Sequence, residues 1–225
     1  RERGAAPGNA ADRAAVPDIP SATYRLQLRA GFGFDQAAAV LPYLKALGIS
    51  HVYLSPIMQA RPGSTHGYDV TDYGRLNPEL GGAAAFERYC AALKACGLRQ
   101  VVDIVPNHMG VLAAANRWWR DVLAHGQASR YARHFDINWV SPNPLNNGKV
   151  LLAVLGRQYG TTLARGELKL EFEPVSGAFE VTYFAHRLPI DPRESPRVLT
   201  LALERLQGGQ RASLEAVIGQ LSELS

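Results

Sequence analysis

Apolar residues along the first half of the chain alternate between two rhythms. Ala22 to Leu28 (ATYRLQL) has the β-branched and aromatic content of a short strand, and Gly31 to Gly33 break it. From Asp35 onward, Ala38, Leu41, Tyr43, Leu44 and Leu47 fall at helical spacing, with Gly48 placed as a C-terminal cap. His51 to Leu54 reads as a short strand of the fully buried kind, closed by Ser55-Pro56. Ile57 to Leu80, rich in Gly, Pro, Asp and Asn, predicts a long loop. A second helix is predicted from about Ala83 to Cys96, ended by Gly97, and Gln100 to Val105 (QVVDIV) as a third strand. Strand, helix, strand, helix, strand predicts parallel βαβ units with right-handed crossovers, and therefore an α/β core.

From Asn107 the rhythm is lost. Asn116 to His125, rich in Trp, predicts a helix, and Asp136 to Gly148 a loop. Leu168, Leu170 and Phe172 then alternate with Lys169, Glu171 and Glu173. After a Ser176-Gly177 turn, Phe179, Val181 and Tyr183 alternate again, which predicts a hairpin with one wet face. Leu188 to Pro192 is expected to be loop. Pro196 to Leu206 and Leu214 to Leu224 predict two helical segments joined by Gly208-Gly209. The expected organisation is a mobile tail over 1–18, an α/β core over 19–110, an insertion over 111–195 and a helical segment over 196–225.

Composition narrows the class. The 225 residues are 47% hydrophobic and 20% charged, a soluble globular balance, and the net charge of +4 is dispersed. A dispersed charge without basic runs argues against nucleic acid and anionic membranes as partners. No stretch approaches the roughly 18 continuous apolar residues of a membrane span. Cys90 and Cys96 fall in one predicted helix where they cannot easily pair, which suggests a reducing, cytoplasmic setting. Arg1 to Asp18 lacks the apolar core of an export signal. The first residue is Arg1 and the only methionines are Met58 and Met109, so the chain is expected to begin inside a longer reading frame.

Two segments carry chemistry: Ser64 to Asp69 (STHGYD), after the second strand, and Asp103 to His108 (DIVPNH), at the end of the third. Residues just past the ends of parallel strands converge on one face, so Tyr68, Asp69, Asn107 and His108 are expected to share a pocket. The set suits a sugar: an aromatic ring covers an apolar pyranose face, while imidazole, amide and carboxylate satisfy hydroxyls. Asp103 stands in an apolar run, where a carboxylate needs partners, and is expected to brace the loop. Trp118, Trp119 and Trp139 are either sugar platforms or packing residues. His66 and His108 have neither the spacing nor the carboxylate of a metal pair, and no acidic cluster has calcium-ligand spacing, so no metal and no cofactor are expected.

Asp103 to His108 resembles the first signature region of the α-amylase family, glycoside hydrolase family 13, and Gly48 to Pro56 (GISHVYLSP) resembles that family's second-strand region. Ala22 to Gln27 (ATYRLQ), Ala60 to Asp69 (ARPGSTHGYD), Arg75 to Gly82 (RLNPELGG) and Val150 to Tyr159 (VLLAVLGRQY) are similar to segments of its maltooligosyl trehalose synthases. The resemblance extends over about Ile19 to Pro192. It implies a partial (β/α)8 TIM barrel, its first three βα units followed by a long mixed α/β insertion subdomain. It implies that Tyr68 stacks on a glucose at the reaction centre and His108 hydrogen-bonds its 6-hydroxyl. His66 and Asp69 would stand near that sugar, with Asp103 and Asn107 supporting.

The activity implied is intramolecular transglucosylation, turning the reducing-end α-1,4 linkage of a maltooligosaccharide into an α,α-1,1 linkage by a retaining double displacement. The alternatives are an α-glucan hydrolase on the same scaffold and a catalytically incomplete piece that at most binds sugar. No Arg-x-Asp-His sequence follows His108. A full barrel typically takes about 250 residues. The nucleophilic aspartate, the acid/base glutamate and the rest of the barrel are therefore expected beyond Ser225, and this chain alone is expected to be inactive.

Overall fold

The computed structural model describes residues 19–111 and 115–223. The tail predicted over 1–18 lies outside the described residues. Strand β1 (Thr23–Leu26), helix α1 (Phe34–Ala46) and strand β2 (His51–Leu54) follow in order. Next come β3 (Met58–Ala60), β4 (Val70–Leu76), α2 (Gly82–Ala95) and β5 (Arg99–Val102). Strands β1, β2 and β5 form a parallel sheet in that order, with Arg25 opposite Tyr53 and Tyr53 opposite Val101.

Side chains alternate across a strand, so this register sorts the sheet into two faces. Leu26, Val52 and Leu54 lie on one face and are buried with Phe34, Leu41 and Leu44 of α1 and Tyr89 and Leu93 of α2. Each fully buried aliphatic or aromatic side chain contributes about 1.5–3 kcal/mol. Arg25 and Tyr53 lie on the other face, where Val101 is 38% exposed.

The two helices stop in the same way. Gly48 (φ +85) and Gly97 (φ +61) take the left-handed conformation that a Schellman end requires. Gly48 N donates to Lys45 O and Ile49 N to Leu44 O; Gly97 N donates to Lys94 O and Leu98 N to Leu93 O. Ile49 and Leu98 are buried with the leucines they reach back to, and the chain passes at once into β2 and β5. At the start of α1, the Gln36 side chain accepts from Gly33 N at 3.0 Å.

The stretch expected to be a loop from Ile57 to Leu80 instead contains the antiparallel pair β3 and β4. The shortness of β3, three residues, and two register shifts erase the two-residue alternation that could have announced it. The third parallel strand is shorter than predicted and ends at Val102, although Asp103 N still donates to Leu54 O at 2.9 Å.

The remainder holds α3 (Arg117–His125), α4 (Tyr159–Ala164), a sheet of β6 (Lys169–Glu173), β7 (Ala178–Tyr183) and β8 (His186–Pro189), then α5 (Ser195–Leu203) and α6 (Gly208–Glu223). Leu188 and Pro189, expected in a loop, close β8. Because β8 is an edge strand of the order β6-β7-β8, the missing N–H of Pro189 is tolerated.

The predicted wet face of this hairpin is corrected by burial. Glu180 is 1% exposed and Thr182 8%, whereas Leu170 and Phe172 on the apolar face are 54% and 55% exposed. Neither face is wholly covered, since Lys169 on the polar face is exposed and Tyr183 on the apolar face is 5% exposed; Glu180 is buried while ion-paired to Arg120 of α3 and, at 2.7 Å, to Arg187 of β8. Burial raises the Glu180 pKa, but the two guanidinium hydrogen bonds outweigh it and hold the carboxyl below its ordinary 4.5. A depressed carboxylate pKa contributes stability fully present above 4.5 and lost as pH falls through the folded-state value. Thermal melts followed by circular dichroism should show this loss below pH 4.5, and Glu180→Gln should lack that component. Glu180→Ala, which removes the carboxylate shared by Arg120 and Arg187 although Arg187 keeps Glu171 at 3.3 Å, should cost about 2–3 kcal/mol at neutral pH.

Candidate functional site

The register of the parallel sheet brings four side chains to one point. Arg25 from β1, Tyr53 from β2, Tyr68 from the loop between β3 and β4, and Asp103 just past β5 meet at the C-terminal edge. Asp103 Oδ2 accepts from Arg25 Nη1 (3.1 Å), Tyr53 OH (3.1 Å) and Tyr68 OH (2.5 Å). Tyr68 OH in turn accepts from Arg25 Nη2 at 2.9 Å, and the Arg25 guanidinium lies 4.5 Å from the centre of the Tyr53 ring. The hydrogen bond from Tyr68 is the main reason that the Asp103 carboxyl titrates below its ordinary range; burial opposes it, and the hydrogen bonds from Arg25 and Tyr53 add to it.

The Tyr68 loop is pinned from behind. Gly67 has φ +79, and a Cβ there would stand 2.8 Å from Pro56 O, so the position needs glycine on both counts. Asp69 accepts from Ser64 Oγ and lies 3.3 Å from Arg61 Nε, while its backbone oxygen accepts from Arg61 N. His66 Nδ1 accepts from Tyr68 N at 3.0 Å. That nitrogen therefore carries no proton, and its 4.0 Å separation from Asp69 is not an ion pair in this tautomer. The His66 ring stacks near that of Tyr68, centroids 6.0 Å apart.

His108 stands in a second cluster. Its Nδ1 is 2.9 Å from Asn107 Oδ1, which gives that nitrogen the proton and leaves Nε2 to accept. Tyr73 of β4 clamps the loop, its single hydroxyl proton shared between the backbone oxygens of Val105 and His108. Burial raises the Tyr73 phenol pKa and keeps it protonated for that role. A cavity of about 440 Å³ opens here, lined by His108, Asn107 and Tyr73 on one side and by Trp118, His134 and Asp136 among others on the other. The two clusters are joined through Gly110, whose N donates to Val70 O and whose Cα comes so close to Asp69 that a Cβ would lie 2.8 Å from its carbonyl oxygen.

The predicted residues are thus divided. Tyr68, Asp69 and His66 gather with Asp103, and Asn107 with His108 in the neighbouring cavity. Asp103 is a bracing group with three donors. Asp69 and Nδ1 of His66 engage their own loop. Arg25, Tyr53 and Tyr73 were missed; each acts through a partner distant in sequence. The one available signal was that Arg25 and Tyr53 sit in strands at positions facing away from the Leu26, Val52 and Leu54 core.

Parallel strands covered by helices on one face, with polar side chains gathered at their C-terminal edge, have the form of a barrel enzyme's substrate end. The family described as "Alpha amylase, catalytic domain" matches residues 37–160, and the chain belongs to the α-amylase family. Its fold is accordingly of the TIM-barrel type.

Within that family the similarity reaches maltooligosyl trehalose synthases over most of the chain and other enzymes over shorter stretches. A Mycobacterium tuberculosis (strain H37Rv) protein with the name "Putative maltooligosyl trehalose synthase" is 47% identical over 169 residues, 69% of this chain and 22% of the relative. The solved maltooligosyltrehalose synthase from Arthrobacter ramosus aligns with 76% of this chain and 21% of its own, at 42% identity and a TM-score of 0.67. The Bacillus subtilis (strain 168) "Intracellular maltogenic amylase" is 38% identical over 109 residues, 48% of this chain and 18% of that enzyme. The chain therefore spans about a fifth of the length of the relatives it matches.

The Tyr68 phenol gives a direct check of the first cluster. Its pKa is raised above 10.0 because it donates to Asp103, while Arg25 pulls the other way. In ring-labelled tyrosine NMR, Asp103→Asn should move the Tyr68 titration down toward 10.0, and Arg25→Leu should move it further up. Shifts of the same sign from both substitutions would contradict the geometry.

Proposed function

We propose that this chain forms the sugar-binding part of an intramolecular transglucosylase that converts the reducing-end α-1,4 linkage of maltooligosaccharides into an α,α-1,1 linkage. The observation that carries the reading is the Tyr68 cluster and the neighbouring His108 cavity, joined through Gly110 past the ends of parallel strands, in a chain 47% identical to a relative with the synthase name. The three βα units are the first three of an eight-unit barrel, residues 19–110. Residues 111–195 are an insertion subdomain after the third strand, and 196–225 are a helical segment leading back to the barrel. The antiparallel sheet over Lys169–Pro189 supports that division. The setting is cytoplasmic, a reading supported by the free thiols of Cys90 and Cys96. Among the described residues no helix is long and apolar enough to cross a membrane.

Each residue then has a defined task. The Tyr68 ring covers the apolar face of the glucose at the reaction centre, its hydroxyl held by Asp103 and Arg25 so that the ring keeps one orientation. His108 presents Nε2 to the 6-hydroxyl because Asn107 occupies Nδ1. His66 and Asp69 shape the loop beside that sugar. The nucleophilic aspartate and acid/base glutamate lie outside these 225 residues, about 5–5.5 Å apart as a retaining displacement requires. The nucleophile breaks the terminal α-1,4 bond and forms a glycosyl-enzyme while the glutamic acid gives its proton to the departing glucose oxygen and so becomes the base. The released glucose then attacks through its anomeric hydroxyl, giving up that proton to the base. Transfer wins over hydrolysis to the extent that water is kept out.

Incubating the intact polypeptide that carries this chain with maltopentaose, followed by anomeric proton NMR and a reducing-end assay, tests the reading. A new α,α-1,1 signal with loss of reducing ends is expected, whereas a gain of reducing ends would support a hydrolase. His108→Ala should reduce turnover about 5- to 150-fold, the cost of one buried hydrogen bond of roughly 1–3 kcal/mol. Tyr68→Phe should keep the stacking ring but weaken its positioning, and so fall between wild type and Tyr68→Ala. Full activity of both the His108 and Tyr68 alanine variants would overturn the assignment.

A further inference from the structure

The cavity beside His108 has a second wall that the roles above do not use. Trp118 and Trp119 are neighbours on α3, yet they part. Trp119 is 8% exposed and packs on Phe135 with ring centroids 4.9 Å apart, whereas the half-buried Trp118 lines the cavity. Trp118 lies flat against Tyr131 (5.1 Å, 8°) and has His134 against it edge-on at 5.0 Å. The Arg130 guanidinium sits 4.8 Å from the Tyr131 ring. Asn116 fixes the start of the helix: its Oδ1 accepts from Trp119 N, and its Nδ2 donates to Gly110 O on the strand-end loop. The indole is therefore held in place before any ligand arrives, by contacts tying α3 to the loop that carries His108.

From this arrangement we infer that the cavity is a binding subsite for a further glucosyl unit of an α-glucan, with Trp118 as the platform for its apolar face and His134 and Asp136 as partners for its hydroxyls. A volume of about 440 Å³ is within the range of small-molecule sites, and a mixed lining of aromatic rings and a few polar groups suits a neutral polyhydroxylated ring. Asp136 opposes a phosphate or carboxylate ligand through its charge. Because His108 lines the same cavity, a chain whose one glucose meets His108 can place an adjoining glucose against Trp118. The inference rests on the proposed glucan reading and adds to it a residue that sets how much of the chain is recognised.

The test is titration calorimetry of the intact polypeptide with maltose through maltoheptaose. In wild type the affinity should rise with chain length as the Trp118 subsite fills. Trp118→Ala should flatten that rise, weakening the longer glucans about 5- to 10-fold while leaving the shortest bound glucan nearly unchanged. Trp118→Phe, which keeps a ring and guards against loss of folding, should retain most of the rise. His108→Ala should weaken every length. Trp118 variants that weaken all lengths equally, or none, would overturn the inference while the glucan reading stands. Absence of glucan binding at any length by the wild-type polypeptide would remove both.

Discussion

One oxygen atom, Oδ2 of Asp103, takes hydrogen bonds from Arg25, Tyr53 and Tyr68, and thereby joins two strands and a loop to the end of a third. A carboxylate withdrawn from water needs such partners. The register supplies them: Arg25 lies opposite Tyr53, Tyr53 opposite Val101, and Asp103 two residues further along the same face. A slip of one residue in either pairing would turn the strand's polar side chains into the helix-covered core and its leucines or valines toward Asp103. The polar cluster and the apolar core thus specify the same register from opposite sides of the sheet.

That shared constraint explains how the site is positioned. The paired Schellman ends after α1 and α2 deliver the chain into β2 and β5 with little slack, so the strand ends arrive level. The loops past β2 and β5 are braced by contacts that need particular residues: Gly67 beneath Pro56 O, Gly110 beneath Asp69 O, and the Tyr73 hydroxyl between two backbone oxygens. The segments that carry Tyr68 and His108 are consequently held by the barrel side of the molecule as well as by each other.

The parts legible in the sequence are those with local causes. Apolar spacing and a terminal glycine were enough for α1, α2 and the parallel strands, although only β2 among those strands is mostly buried, because a helix end or a strand run is decided within a few residues. Asp103 could be read as a bracing residue, since a carboxylate in an apolar run calls for partners wherever they come from. Arg25 and Tyr73 could not be read in the same way: their partners lie far along the chain, at Asp103 and at Val105 and His108, and no spacing rule links them. Burial in the antiparallel sheet differs from the alternation for a related reason. Alternation reveals that a sheet has two faces but not which positions on them are covered, and here Glu180, on the polar face, is buried against Arg120, distant in sequence.

The buried Glu180 ion pairs also bear on the proposed chemistry. By ion-pairing Glu180 of β7 to Arg120, the antiparallel sheet fixes the helix that carries Trp118, and Asn116 at the start of that helix bonds back to Gly110 beside the Tyr68 loop. The two walls of the His108 cavity are therefore connected through polar contacts that never touch the cavity itself. In a transglucosylase a released glucose must stay in place and water must stay out while the glycosyl-enzyme exists. A wall anchored at both ends does this better than a mobile loop, since its order is established before substrate binds and no further ordering is needed at the moment of transfer. On the proposed reading, the insertion is more than a decoration of the barrel: its buried charge network is what allows an apolar platform to stand opposite the sugar-binding histidine.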